Sequence, residues 1–445
     1  MRALVSDPAS QREKANGAIG AVRRRGAHAL PLWVFLLGLT AACQTRASTD
    51  AGALQQQFER EREQARSLPR RVAPETAAVP EPPSPRRGQA LAVRGFAFRG
   101  NSVMDSAELS AALEPYRQRP LEFGEMEALT AVLSAVYRAR GYLASATLPA
   151  QDVSDGVLTF VVVEAVRGQL VLDIGAPVRT ALERVTGIIE NQLRQGDILR
   201  IDALERALWI ASDLPGLAVS GALAEGALPG QSDLVVSLAD KAVVSGDVGL
   251  DNTGGASTGK DHLAANLYGN SVLGQGELWS ANFSLAQGSS YSRLGLTFPV
   301  GYSGLRMGIN GSYLEYKVLS SDYSRLELRG ASGVWGLDAV LPLLRTRFHN
   351  LYLSAALDDK RFVNYSSGNV ASQYSSQAVV WSLYGNRYDD LGGGGATTAN
   401  LNLVQGHLNL DASPTRSADA LSTAMRLDGH HHPGQPDSFR PDRHQ

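Results

Sequence analysis

The sequence predicts α+β units of β-α-α-β-β order in tandem, followed by an antiparallel transmembrane β-barrel. Three observations predict it. Residues 121–166 join one amphipathic helical run to two short strand runs, and residues 168–239 repeat that order. From residue 243 the chain changes to alternation of apolar and polar residues in segments of about ten, the length of a tilted membrane-crossing strand.

In the first unit, Met126, Leu129, Val132, Leu133, Val136 and Tyr137 recur at the three- and four-residue spacings of one helical face. Gly141 stands where a helix stops, so this helix should end near Arg140. Residues 144–148 and 157–163 are rich in small and β-branched residues, and Asp155-Gly156 between them favours a hairpin. Upstream, residues 91–98 alternate enough for a first strand, and Ser106 is placed to cap a short helix through Leu109 and Leu113. The second unit repeats this with a strand over 168–174, helices over 178–193 and 201–214, a strand segment at 214–219 and a closing strand at 233–239. Its inward positions are Leu182, Val185, Ile188, Ile189 and Leu193 on one helix and Leu204, Leu208 and Ile210 on the other.

The barrel pattern is clearest where Leu305, Met307, Ile309 and Tyr313 fall on one side and Arg306, Gly308, Asn310 and Ser312 on the other. That is lipid-out, lumen-in patterning. It recurs through Leu263 and Leu267, Trp279 and Phe283, Leu294 and Phe298, Leu353 and Leu357, and Trp381 and Leu383. Residues 252–255, 274–276 and 391–395 supply turn chemistry between the runs. The competing architecture, a soluble sandwich, would show shorter strands with one buried face per sheet.

Composition excludes several classes. With 42 basic against 44 acidic residues there is no footprint for nucleic acid, and the single Cys43 excludes an intrachain disulfide and a thiolate metal cage. His430, His431 and His432 are consecutive and cannot all face one metal from a regular element, so no metal site is expected. Asp389-Asp390 lacks calcium-ligand spacing and reads as a solvated turn. No nucleophile elbow, phosphate-cradling loop or other catalytic constellation is found; neither an enzyme nor a cofactor is predicted.

At the amino end, residues 1–43 hold consecutive arginines at 23, 24 and 25 followed by the apolar run 30–42, which is too short to span a membrane and reads as part of a secretory leader. Cys43 follows a loose lipobox, which leaves two outcomes open: lipid anchoring there, or ordinary cleavage near Ala42 or Ala47. Residues 51–67 are strong helix formers with mixed charge and no wide apolar face, and 68–90 form a proline-rich, semi-rigid linker. Residues 413–445 lose alternation and read as a disordered tail.

Several short motifs occur in one order: Gly100-Asn101-Ser102, residues 137–142 (YRARGY), residues 148–156 (LPAQDVSDG), residues 248–254 (VGLDNTG), residues 297–301 (TFPVG) and residues 387–394 (RYDDLGGG). Together they resemble the two-partner secretion transporters of the outer membrane, the haemolysin and filamentous-haemagglutinin secretion family, over roughly residues 50–412. The resemblance implies POTRA domains at 91–167 and 168–242 in the periplasm, a barrel from 243 to 412, and a helix at 51–67 plugging the pore. It implies as partners a secreted exoprotein with an amino-terminal secretion domain, the outer-membrane lipid and the barrel assembly machinery.

The family closes sixteen strands, whereas about nine are read here, so a truncated barrel is expected. The family's Val-Arg-Gly-Tyr lid motif should lie in the missing half, and Val93-Arg94-Gly95 and Val166-Arg167-Gly168 match it only by chance. Two alternatives stay open: a non-conducting product that retains only polypeptide binding, and an assembly factor for membrane proteins. The resemblance further implies capture of an unfolded partner by strand addition. The candidate edge is Tyr142, Leu143, Ala144, Ser145, Ala146, Thr147 and Leu148; simple pairing within the sheet is the plain alternative.

Overall fold

The computed structural model describes residues 50–66, 91–252, 254–389 and 395–414. The expectations for the leader, Cys43, the linker, the consecutive histidines, Asp390 and nearly all of the tail lie outside the described residues.

Helix α1 (Ala51–Arg66) comes first. The run at 91–98 is two strands, not one: β1 (Leu91–Ala92) and β2 (Gly95–Arg99). Val93 between them is fully buried, and the amides of Arg94 and Gly95 both reach the Gly156 carbonyl, so the chain changes partner there. Helix α2 (Ser106–Leu113) is capped by Asp105, whose carboxylate accepts from the Ala107 amide, and not by Ser106, which is its first residue. After β3 (Pro120–Leu121), the partner of β1, helix α3 (Phe123–Ala139) opens with the Glu125 carboxylate on the Glu122 amide at 3.0 Å. It buries Met126, Leu129, Leu133 and Tyr137, the stripe set by the spacing.

Strands β4 (Ala144–Thr147) and β5 (Val157–Glu164) follow, giving the sheet order β2-β5-β4. Their connection is not the tight hairpin suggested by Asp155-Gly156. It is a longer loop in which Asp152 and Asp155 accept the Ser154 and Val157 amides, consuming the turn residues locally. Helices and sheet enclose a core that includes Leu109, Leu113, Leu133, Leu158 and Phe160, each contributing roughly 1.5–3 kcal/mol by burial.

The second unit is β6 (Val166–Ile174), α4 (Leu182–Gln192), α5 (Ile201–Ser212), β7 (Leu217–Glu225) and β8 (Gln231–Asp240), with sheet order β6-β8-β7. Its first helix starts four residues later than the pattern suggests. The amides of Arg179 and Ala181 are taken by Asp240 and by the Gly274 carbonyl, and the Thr180 hydroxyl is buried against that of Ser271, so this stretch is held extended.

Nine strands then form one antiparallel sheet in sequence order: β9 (Val244–Asp251), β10 (His262–Asn270), β11 (Leu278–Ala286), β12 (Ser289–Pro299), β13 (Arg306–Lys317), β14 (Arg329–Arg345), β15 (His349–Ser366), β16 (Asn369–Asp389) and β17 (Gly395–Asn409). Among the described residues β9 and β17 are its edges and do not pair with each other. Register aligns Ile309 with Leu337, Leu337 with Leu357 and Leu357 with Val379, while Met307, Ile309, Leu337 and Leu357 are exposed. An apolar band therefore crosses the sheet on its outer face, as lipid contact requires. The opposite face buries Ser312 and Ser332.

Strand length departs from the expected ten. The last four strands have 15–21 residues, and 21 residues at about 3.3 Å each span roughly 70 Å, more than a tilted crossing of a core about 30 Å thick needs. The β15–β16 ladder continues to a two-residue turn at Ser367-Gly368, both at positive φ, a geometry that matches strand twist and does not splay the hairpin.

The second unit is clamped to one rim of this sheet. Asp213 receives both Arg345 Nε and Nη2, at 2.8 and 2.7 Å, and the Arg345 guanidinium lies 4.9 Å over the Trp209 ring. Arg306 donates to the Asp213 carbonyl, and Arg206 donates to the carbonyls of Pro342 and Leu343. Asp213→Ala is expected to cost roughly 1–3 kcal/mol at this junction, within the range for hydrogen bonds to charged groups. Hydrogen exchange should rise at 209–216 and leave the nine-strand ladder protected.

Gly100 sits at φ +84°, and a Cβ there would lie 2.2 Å from the Val162 carbonyl oxygen. Gly100→Ala is expected to exceed the roughly 1–3 kcal/mol typical of one strained residue, because backbone cannot move aside. Faster amide exchange confined to residues 91–166 of the full-length protein would register it.

Candidate functional site

Strand β4 lies at the edge of the first sheet and pairs only with β5, Ala144 opposite Glu164 and Thr147 opposite Val161. Ala165 donates to the Leu143 carbonyl, so the backbone groups of 143 face inward. Antiparallel ladders alternate, so 145 and 147 also bond inward, and the amides and carbonyls of Ala144 and Ala146 point to the open side. Ala144, Ala146 and Leu148 pack on the helical core, while Ser145 and Thr147 face out.

The strand is longer than its four paired residues. Residues 198–201 of the second unit lie against 141–143: Leu143 donates to Leu199, Leu199 to Ala165, and Ile201 to Gly141. Tyr142 and Arg200 are therefore opposite each other as a bridge, and the Tyr142 carbonyl, like those of Ala144 and Ala146, is turned outward. Its amide is already committed to the Tyr137 carbonyl. The structure thus brings Tyr142 through Thr147 into one continuous edge. Leu143 contributes only inward groups, and Leu148 lies past the last pair.

At the far end, the Gln151 side-chain amide meets both backbone groups of Thr159 at 2.8 Å, completing β5 where β4 has ended. Beneath the strand, Glu164 accepts from the Tyr137 hydroxyl at 2.9 Å and from the Val103 amide at 3.0 Å. Burial, and then this carboxylate, push the Tyr137 phenol far above its ordinary pKa. The first and fifth positions of YRARGY, together with the motifs around residues 100 and 151, are accounted for by these contacts. Sequence reasoning missed the wedge at 198–201 and the roles of Gln151 and Glu164.

A second constellation joins α1 to the polar face of the large sheet. Gln55, buried, donates to the Ser312 hydroxyl and accepts from that of Ser332, at 3.1 and 3.0 Å. Glu59 pairs with Lys360 at 2.9 Å, and Phe58 stacks on Tyr291 at 4.9 Å. The Ala51 amide and Asp50 both bond Asn364, with Tyr374 also on Asp50. Ala51, Gln55, Phe58 and Glu59 lie at helical spacing, a stripe of mixed polarity that a search for a wide apolar face passes over. Among the described residues no group of three or more His, Cys, Asp or Glu side chains is arranged to hold a metal.

Residues 91–165 match the POTRA domain of the ShlB type, and residues 230–434 match the haemolysin secretion/activation proteins ShlB/FhaC/HecB. The heme/hemopexin transporter protein HuxB of Haemophilus influenzae is 23% identical over 304 residues, 67% of this chain and 53% of that protein. The outer membrane transporter CdiB of Escherichia coli is 28% identical over 295 residues, 63% of this chain and 47% of CdiB. The chain therefore spans about half the length of these relatives. The solved structure of CdiB from Escherichia coli has the same fold, with a TM-score of 0.59 at 23% identity, over 81% of this chain and 68% of that one. The chain thus carries a ShlB-type POTRA domain at residues 91–165 and, over residues 230–434, where the lipid-facing antiparallel sheet lies, is similar to the haemolysin secretion/activation proteins.

Proposed function

We propose that this protein captures a large secreted partner by that partner's amino-terminal secretion domain and passes it, unfolded, across the outer membrane without nucleotide. The observation that carries this reading is the open edge of β4, where the Ala144 and Ala146 backbone groups face away from the sheet, in the unit joined to the one clamped on the large sheet. Strand addition there is indifferent to most side chains, which suits a client held before it folds. Folding of the partner outside the cell supplies the pull. Helix α1 occupies the path as a plug, held by Gln55, Phe58 and Glu59.

Proline substitution separates this role from stability. Ala146→Pro removes an outward amide and is tolerable on an edge strand, so secretion is expected to fall at least about tenfold with unchanged amide exchange in β5. Ser145→Pro removes an inward bond and should instead loosen β4 and β5. Secretion that survives Ala146→Pro would sink the strand-addition reading.

Lys360→Glu places a second negative charge against Glu59. It is expected to raise conductance in planar bilayers toward that of a chain lacking residues 51–66. Equal conductance in all three proteins would remove α1 from the path.

A further inference from the structure

Strand β7 is an outer strand of the second unit and pairs only with β8. Gly226 donates to the Gln231 carbonyl and Lys241 to the Gly216 carbonyl, so the even-numbered residues between 216 and 226 bond inward and the odd-numbered ones turn their backbone groups to the open side. Two of those groups are occupied: the Leu217 amide bonds the Leu214 carbonyl, and the Ser212 hydroxyl donates to the Val219 carbonyl. The Val219 amide and both backbone groups of Gly221, Leu223 and Glu225 are left on the open side, and residues 220–225 are exposed.

Sheet edges are ordinarily blunted by charge, proline, a bulge or shortness. The opposite edge of this sheet, β6, has a bulge between Arg167 and Leu170. Strand β7 has no such device: its ladder is unbroken over nine residues, and residues 217–224 hold neither a charge nor a proline. Val219, Gly221 and Leu223 lie opposite the buried Leu238, Val236 and Leu234 and so share the helix face, where the Leu208 side chain fills the space that a Cβ on Gly221 would take. Leu223, 38% exposed, ends that row uncovered. At one end β7 reaches the rim of the large sheet, where a Cβ on Gly216 would lie 3.0 Å from the Asn270 carbonyl. At the other, Glu225 and Arg167 are both opposite Ser232, beside the joint with the first unit.

We infer that β7 is a second strand-addition site, taking an extended, uncharged client segment with apolar residues at alternate positions and holding it between the first unit and the rim. Residues of the added strand opposite Val219, Gly221 and Leu223 stand on the helix face and cover Leu223, which gives this edge a preference that backbone pairing alone lacks. The inference rests on the strand-addition reading for the identity of the occupant and adds a hold nearer the large sheet.

The test uses full-length protein and a fluorescently labelled peptide of alternating threonine and valine, about twelve residues long, enough to span the nine residues of β7. Saturating peptide is expected to slow amide exchange at least about tenfold over 219–225 and, separately, over 144–146, and titration should give two peptides per protein. Leu223→Pro removes an outward amide and no bond to β8, and Leu223→Lys sets a charge on the edge. Each should abolish protection at 219–225 and bring the count to one, with 144–146 still protected. Exchange in β8 identifies a variant that has failed to fold, which is why both are made. Protection at 144–146 alone in the wild-type protein overturns this inference and leaves the β4 reading standing, and so does protection at 219–225 that survives in both folded variants. Protection at 219–225 alone supports β7 and removes β4, whereas protection at neither edge defeats both.

Discussion

Backbone amides and carbonyls have to be paired wherever water is excluded, and the arrangement of this chain follows from where that demand is met and where it is left open. In the first unit β5 is served along its length by unlike partners: β4 at 161 and 163, the Gln151 side chain at Thr159, and the Leu143–Leu199 junction at Ala165. The outer side of 142–147 receives none of these, and the second unit lengthens that open run where it could have covered it.

The same demand governs the large sheet more severely, because hydrocarbon offers no substitute partners. Sequential antiparallel pairing leaves no interior strand unpaired, and the outward apolar band confines lipid contact to side chains. On the other face, Gln55 and Glu59 meet serines and Lys360 while Ala51, Leu54 and Phe58 pack on apolar and aromatic side chains, so α1 is held to the sheet by polar and apolar contacts together. The Asp213–Arg345 clamp then ties the second unit to the rim by charged, directional contacts.

What was legible in the sequence was whatever depends on near neighbours. The α3 stripe from Met126 to Tyr137, the repeated strand-helix-helix order and the lipid-facing alternation around Ile309 all follow from spacing. The edge strand was legible too, because residues 144–147 are small and β-branched. The split at Val93, the late start of α4 and the long β14–β17 were not, since each is set by a partner far away in sequence: Gly156, Asp240 and Gly274, and the next strand of the ladder. The wedge at 198–201 is of the same kind. Asp105 in place of Ser106 as a cap is a one-residue matter on which spacing alone is silent.

Magnitudes show why an open edge alone makes a poor grip. Five outward groups, the Tyr142 carbonyl and both groups of Ala144 and Ala146, yield roughly 2.5–7.5 kcal/mol at 0.5–1.5 kcal/mol each. Ordering about five residues of an incoming chain costs roughly 5–10 kcal/mol at 1–2 kcal/mol apiece. Backbone pairing at β4 is near balance or unfavourable, so some side-chain burial has to tip it.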